Sequence, residues 1–466
     1  MTDRAERRAL ALALYEAAVA AADPAQVVLE GLAAHAATLE PLAARPHWII
    51  AVGKAAPVMA EKARAWCATE RRHLAGGLVV GTDPDARGID APGIDAPGID
   101  APAINDPTRD GAWRSVPTDL ATAGGAPLDH LAGDHPVPGP RSLVAAAALE
   151  RLTHRISPDD IVLVLISGGT SALIGAPIDG IRAIDLAALH ALLLGAGVPI
   201  GRINAVRKRF SRWGGGRLAV ALRHARVVPI LLADVPNEDP AMIGSGPVSP
   251  DPLTAAQVER VLREAGIATR LPLSIASTLG AMRADPARET PKPDDPAFIA
   301  VAEPIVRGNA LALAGAAAVA RERGWHVITE PAPLHGDAAA AGHVVAHRAR
   351  RAAPGTVLLW GGETAVRLPD PHGVGGRCQQ LALAAAEEFA ESSVPVTLLA
   401  AGTDGRDGPT DAAGAVVDEG TRITTTALRD ALRRCDAHPV LAAAGALLPA
   451  RATGTNVMDL VVAIRS

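Results

Sequence analysis

The chain has 466 residues, of which 49% are apolar and only 2% aromatic, and its formal net charge is −5 at pH 7. That length suits two or three domains of ordinary size, while the acidic balance leaves no basic footprint for nucleic acid and the scarcity of rings removes the stacking platforms that single strands require. Three widely spaced cysteines, Cys67, Cys378 and Cys435, form neither a disulfide framework nor a zinc set.

The opening MTDRAERRALALALYEAAVAAADP reads as an amphipathic helix after a charged start, without the apolar core and cleavage site of a secretion signal. No apolar run has bilayer-spanning length, so the expected location is cytoplasmic, with no membrane partner. Residues 5–45 suggest two helices broken at Asp23-Pro24. Strands are then expected at His47–Val52, Gly77–Val80, Ile161–Ile166 and Val227–Ala233, with helices at Ala55–Ala68, Ser142–Leu152 and Asp185–Leu194. This alternation predicts an α/β fold of βαβ units, with a mainly parallel sheet covered on both faces.

Gly88–Ile104, GIDAPGIDAPGIDAPAI, is a five-residue repeat too rich in proline and glycine to present a core face, and is expected to be a flexible surface insertion. Leu253–Ala284 reads as helical, and the polar stretch Arg288–Asp295 as a domain boundary. Beyond it, strands are expected at Phe298–Ala302, His326–Thr329, Val357–Trp360, Val396–Ala401 and Asp459–Ile464. Helices are expected at Asn309–Arg323, Ala338–Arg351 and Gln379–Glu391, and Val366–Gly376 suits a hairpin. The expected domains are therefore 1–287, carrying the insertion 88–104, and 296–466.

Apolar strands repeatedly run into glycine-rich turns that carry charge. In open α/β sheets ligands bind beyond the carboxyl ends of the strands, and such turns offer backbone N–H groups to anions. Gly53-Lys54 follows the first strand and places a lysine toward that edge, in a chain whose only lysines are Lys54, Lys62, Lys208 and Lys292. Ser167-Gly168-Gly169-Thr170-Ser171 offers hydroxyls and amides after the strand IVLVLI, suited to a phosphate or carboxylate. NAVRKRFSRWGGG, Asn204–Gly216, gathers Arg207, Lys208, Arg209 and Arg212 before Gly214, Gly215 and Gly216; either one or two of the cations meet a ligand or they form a solvated face.

Asp234, Glu238 and Asp239 follow ILLA, with Asp234 best placed to meet Mg²⁺ through oxygen or water. Glu363 follows VLLWGG, and Arg377 precedes a helix. In GTDGRDGPTD, Asp404 comes directly after a buried-looking strand, whereas Asp407 and Asp411 read as ordinary Asp-Gly turn residues. There is no Walker A pattern, nucleophile elbow or His-rich metal motif, and the G-x-G-x-x-A stretch at 214–219 has no strand directly ahead of it.

These stretches, in their order, resemble the glycerate 2-kinase family with a C-terminal MOFRL domain, some of whose members carry the older label hydroxypyruvate reductase. The likeness rests on VGKAAPVMA (52–60), GDHPVPGPRS (133–142), LISGGTSALIGAP (165–177), NAVRKRFSRWGGGRLA (204–219) and LADVPNEDPAMIGSGPVSPDP (232–252). It continues through WGGETAVRL (360–368), GVGGRCQQLALA (373–384), AAGTDGRDGPTDAAGAVVD (400–418) and TGTNVMDLVV (453–462). The resemblance implies a Rossmann-like N-terminal αβα domain, a smaller mixed α/β MOFRL domain and a site in the cleft between them. It implies ATP- and Mg²⁺-dependent phosphorylation of D-glycerate to 2-phosphoglycerate, and it admits a homodimer.

Carried over by position, Lys54, Asp234, Glu363, Arg377 and Asp404 match the family's charged cleft residues. Ser167–Ser171 and the turn at 214–216 match its glycine-rich loops, with Lys208 beside the latter. Lys54 and Arg377 would hold the carboxylate or the moving phosphoryl group; Asp234 or Asp404 would hold Mg²⁺ or accept the C2 hydroxyl proton. The chain departs from the family's Gly-Arg-Asn-Gln-Glu with Gly376-Arg377-Cys378-Gln379-Gln380, has Thr170 in place of a third loop glycine, and has Arg451-Ala452-Thr453 and Met458-Asp459 near its end. The rival readings are an NAD(P)H-dependent hydroxypyruvate reductase, which needs a dinucleotide fingerprint the chain lacks, and a non-catalytic sugar-acid or nucleotide-binding protein.

Overall fold

In the computed structural model the described residues are 3–82, 127–196, 198, 200–390 and 392–466. The repeat at 88–104 lies outside them. The chain divides into two compact units: Val27–Leu232 with Asp239–Val306, and Met1–Gln26 with Ala233–Glu238 and Arg307–Ser466. The units interleave along the chain, where the sequence reading has a single cut near 288–295.

The first sheet contains β1 (His47–Val52), β2 (Leu74–Gly81), β3 (Leu128–Ala132), β4 (Ile161–Ile166), β5 (Arg226–Leu232) and β6 (Ile305–Arg307), in the order β3-β2-β1-β4-β5-β6. The β1–β5 pairings are all parallel. Both β1 (HWIIAV) and β4 (IVLVLI) are buried along their whole length, as central parallel strands must be when helices cover both faces. The helices Ala56–Thr69 and Pro140–Thr153 pack on this sheet. A separate core joins the helices Ala183–Gly195, Ile200–Phe210, Ala255–Glu264 and Leu273–Ala284 through Leu189, Leu193, Val206, Phe210, Val258, Leu262 and Ile275.

The second sheet contains β7 (His326–Thr329), β8 (Thr356–Gly362), β9 (Val396–Gly402), β10 (Ala412–Asp418), β11 (Leu447–Pro449) and β12 (Asp459–Arg465), in the order β11-β10-β9-β12-β8-β7. It is mixed: β7 and β8 are parallel, and β12 lies antiparallel between β8 and β9. The carboxyl ends of β8 and β9 and the amino end of β12 therefore share one edge, with Asp459 opposite both Gly362 and Gly402.

On one face of this sheet lie the helices Ala338–Arg351 and Arg377–Ala390, whose alanine-rich sides allow close approach. The helices Arg4–Ala21 and Asn309–Glu322 pack on each other and on the same sheet's strands. That contact places the N-terminal helix in this unit. Leu10, Ala11, Leu14, Tyr15 and Ala18 are its buried stripe, and its buried Arg7 donates from Nε to Thr397 Oγ1 (3.1 Å) and pairs with Glu419.

Three expectations differ locally. Phe298–Ala302 is no strand; Asp295 accepts from Ala297 N–H and starts a 3₁₀ turn at Pro296–Ala300, leaving Val301 a single bridge to Val227. Val366–Gly376 makes no hairpin, since Pro369 and Pro371 withhold two ladder donors, and only Ala365 bridges, to Asp337. Leu253–Ala284 is two helices parted at 265–272, with Gly266 in the left-handed region and Pro272 capping the second. Among the described residues no single helix is long and apolar enough to cross a membrane.

Candidate functional site

The strand order reverses between β1 and β4, the switch point where an open α/β sheet receives ligands. Here the two strand-end turns lock together. Gly53 donates to Val80 O (3.0 Å), Lys54 N–H to Gly168 O (2.9 Å) and Ala55 N–H to Ser167 Oγ (3.1 Å). Gly53 sits at φ +133°, and a Cβ there would fall 2.1 Å from Ser167 Oγ, so only glycine fits. The Thr170 hydroxyl lies 2.8 Å from both Val52 O and Ser167 O; it braces the turn from inside. Ser171 Oγ meets Ser245 Oγ at 2.6 Å.

Gly169 is left-handed, at φ +89°, and a Cβ on it would meet the His135 ring at 3.2 Å and Lys54 Cγ at 3.4 Å. Lys54, His135 and the Ser167–Ser171 turn thus converge, with Lys54 and His135 open to solvent. Surrounding protein, then the Lys54 and Arg207 charges, draw the His135 pKa down to about 4. It is a neutral imidazole at pH 7 among cations.

The helix Ile200–Phe210 sorts its basic residues by direction. Ile203, Val206 and Phe210 enter the helical core. Lys208 turns inward, donating to Ala241 O at 2.8 Å and lying 3.7 Å from Asp251. Arg209 is fully buried between Asp251 (3.1 Å) and Glu289. Arg212 is a partly exposed partner of Glu150 and Asp179. Gly215 and Gly216 donate their amides to Ser245 O and Gly246 O, both at 2.8 Å. Lys208, Gly215 and Gly216 are thus tied into the protein's own framework. Arg207, over nine-tenths buried, has no hydrogen-bond partner at Nε or Nη2.

In the other unit, the shared edge of the second sheet assembles a charged cluster. Arg377, first residue of the helix Arg377–Ala390, donates from Nε to Asp459 Oδ2 (2.6 Å) and from Nη2 to Asp459 Oδ1 (2.9 Å), while Nη1 pairs with Glu363 Oε1 (2.8 Å). These two carboxylates hold the guanidinium charged, above its already high ordinary range, against the opposing pull of burial. Asp404, half-buried, follows β9 and accepts from Arg406 N–H at 3.0 Å. Its charge reaches Asp459, whose pKa burial raises. Tyr15 O–H donates to Gly402 O (2.9 Å) on the same edge, and burial raises its phenol pKa to about 12. Asn309 Nδ2 donates to Val457 O (2.7 Å) and Asp459 O (3.1 Å), fixing the entry to β12.

Asp407 is no bland turn residue: its buried carboxylate accepts from Cys378 N–H (3.0 Å) and Gln379 N–H (2.7 Å) at the start of the Arg377 helix. Cys378 is enclosed, and burial with the nearby Asp459 and Asp407 pushes its thiol well above the usual range. Gln380 Nε2 donates to Leu432 O (2.8 Å). The departures at 378 and 380 therefore serve packing within this unit. Asp234 is half-buried in the segment Ala233–Glu238, which is held to this unit by Ala233 N–H to Arg307 O (2.7 Å) and by Glu238 accepting from Ala310 N–H (3.0 Å).

Asp234, Glu363, Arg377 and Asp404 thus belong to one unit, and Lys54, Ser167–Ser171, Lys208, Gly215 and Gly216 to the other. The sequence reading missed Asp459, His135 and His190. For Asp459 a signal existed: a carboxylate opening an otherwise apolar strand, DLVVAI. Among the described residues no three His, Cys, Asp or Glu side chains gather as a metal-ligand set. Mg²⁺ does not require one, since it keeps water and takes one or two carboxylates together with substrate phosphates; Asp404 and Asp234 are hard oxygen donors of that kind.

The family described as domain of unknown function DUF4147 matches residues 10–280, and the MOFRL family matches 356–459. The D-glycerate 2-kinase of Thermotoga maritima is 34% identical over 342 residues, spanning 71% of this chain and 78% of that protein. The glycerate 2-kinase of Pyrococcus horikoshii is 34% identical over 341 residues, spanning 71% and 76%. The crystal structure of a glycerate kinase from Thermotoga maritima superposes with a TM-score of 0.74 at 29% identity, over 98% of this chain and 99% of that one.

Proposed function

The chain belongs to the glycerate 2-kinase family, and from that footing we propose that it phosphorylates D-glycerate at the 2-hydroxyl, using ATP and Mg²⁺. The observation that carries the reading is the position of Lys54 against Gly169 of the serine turn, at the strand-order switch of the first sheet. Phosphoryl transfer asks a protein mainly for positioning and for neutralising charge on the phosphoryl oxygens. Lys54 is a mobile point charge for this purpose. Arg377 is a planar donor already oriented by Asp459 and Glu363, so little side-chain freedom is lost when it meets an oxyanion.

In this reading Ser167–Ser171 hold the nucleotide phosphates, with Glu363 acting through Arg377. Asp404 or Asp234 holds Mg²⁺ or accepts the proton of the C2 hydroxyl. Bound Mg²⁺ would supply charge neutralisation at the phosphates. The first strand turn, Gly53-Lys54-Ala55-Ala56, has no second dinucleotide glycine, so this turn does not support the reductase reading. All three cysteines are free and buried, which suits a reducing cytoplasm. The test is ³¹P NMR of the products from ATP, Mg²⁺ and D-glycerate: a 2-phosphoglycerate resonance is expected, and 3-phosphoglycerate alone, or no phosphoester, overturns the proposal.

A further inference from the structure

The basic cluster of the helix Ile200–Phe210 and the turn after it leaves one cation unaccounted for. Lys208 and Arg209 have Asp251, and Arg212 has Glu150 and Asp179. Arg207 has none of these. It is 8% exposed, and Nε and Nη2 are enclosed without a hydrogen-bond partner. Burial alone draws its pKa down to about 10, so it keeps its charge at neutral pH, and among the described residues no carboxylate moderates it. His190, on the helix Ala183–Gly195, is 2% exposed with both ring nitrogens unpartnered, and it feels the Arg207 charge. The Arg207 charge is also felt at His135, whose ring lies close to Gly169, as does Lys54.

An unpaired buried charge is costly, and proteins retain one where something else supplies the counter-charge. Lys54 and His135 are exposed and Arg207 and His190 buried, and among the described residues no carboxylate pairs with Arg207. We propose that Arg207 is the inner wall of an oxyanion subsite, binding a carboxylate or phosphate group through Nε and Nη2, with Lys54 at its entrance. The Nε–Nη2 edge of a guanidinium matches two oxygens of such a group side by side. His190, neutral at pH 7, adds no second charge beside Arg207. The subsite rests on the kinase reading only for the source of its anion: the acceptor's carboxylate or the nucleotide's phosphates.

The test compares the full-length protein with Arg207→Met and Arg207→Lys, first with inorganic phosphate by calorimetry and thermal shift, without turnover. Arg207→Met is expected to melt at or above the wild type without anion, because a buried unpaired charge is replaced by an apolar chain. It should also lose roughly tenfold or more in phosphate affinity. Lysine should restore part of that affinity without the two-point contact. A rise in KM confined to D-glycerate assigns the subsite to the acceptor carboxylate; one confined to ATP assigns it to the nucleotide phosphates.

Unchanged phosphate affinity and unchanged KM for both substrates in Arg207→Met overturn the proposal. So does a variant that melts lower yet keeps full stabilisation by phosphate. Should the methionine variant fail to fold, wild-type phosphate affinity and KM values in Arg207→Lys overturn it equally. Phosphate binding that depends on Arg207, in a protein that transfers no phosphoryl group to glycerate, sustains the subsite and removes the kinase reading instead.

Discussion

Asp459 grips Arg377 edge-on, with Nε–Oδ2 at 2.6 Å and Nη2–Oδ1 at 2.9 Å, from the first position of a strand whose other side chains are almost all apolar. Because β12 runs antiparallel between β8 and β9, this carboxylate reaches the edge where those strands release Glu363 and Asp404. Asp459→Asn keeps the shape but turns one acceptor into a donor facing a donor. A hydrogen bond to a charged group contributes about 1.5–3 kcal/mol, so kcat should fall roughly 10- to 150-fold as Arg377 loses its orientation. Circular dichroism should stay native. Steady-state kinetics check this, and an unchanged kcat would separate the pair from the reaction.

Lys54 is exposed, so its removal bears on chemistry more than on folding. Lys54→Ala should lower kcat/KM by about a hundredfold or more, the scale of one lost transition-state charge contact, with Tm nearly unchanged. Lys54→Arg keeps the charge but sets a bulkier, planar group against Gly169 and His135, where the space at Gly169 is already close. It should recover only a small part of the activity. Wild-type kcat/KM in Lys54→Ala would remove this residue from the mechanism.

Gly53 offers a structural test of the same turn. A methyl group there would overlap Ser167 Oγ at 2.1 Å while the backbone holds φ +133°. Gly53→Ala should therefore cost about 1–3 kcal/mol in overpacking and strain, read as a lower Tm, and displace Lys54 from its 2.9 Å bond to Gly168 O. Activity should fall further than stability alone accounts for. A variant with native Tm and native kcat/KM would show that the two turns need no such close fit.

How far these residues were legible in the sequence depends on what kind of signal each left. Lys54, Glu363, Arg377 and Asp404 stand next to apolar strands or at a helix start, and strand ends are where α/β sheets put chemistry; such positions can be read one strand at a time. Asp459 belongs to a strand beginning rather than an end, and its meaning depends on β12 being antiparallel, which no local pattern reveals. Arg207 and Lys208 are adjacent and equally basic, yet helix geometry sends one to Asp251 and leaves the other unpaired. The strands β3, β10 and β11 escaped because β3 is short and partly polar, β10 carries Gly414 and β11 is brief. The N-terminal helix was legible as amphipathic, but nothing in its own sequence says which sheet its Leu10–Leu14 stripe would cover.

The histidines whose pKa the fold lowers give it a pH dependence of definite sign. Burial, then the Arg207 charge, lowers His190 from 6.5 to about 3, and His135 falls to about 4. Each is neutral when folded and protonates more readily in the unfolded chain, so the unfolded state binds more protons below the unfolded pKa of about 6.5. Their contribution to stability is therefore complete above pH 6.5 and is lost as pH falls toward the folded values. His35, His47 and His130 are lowered too and add to the same slope. Denaturant unfolding between pH 7 and 4.5, above the range where most carboxylates protonate, should show stability declining throughout. His190→Gln cannot take up the proton, so its stability should decline less steeply over that interval; an identical slope would mean that His190 has the same proton affinity folded and unfolded.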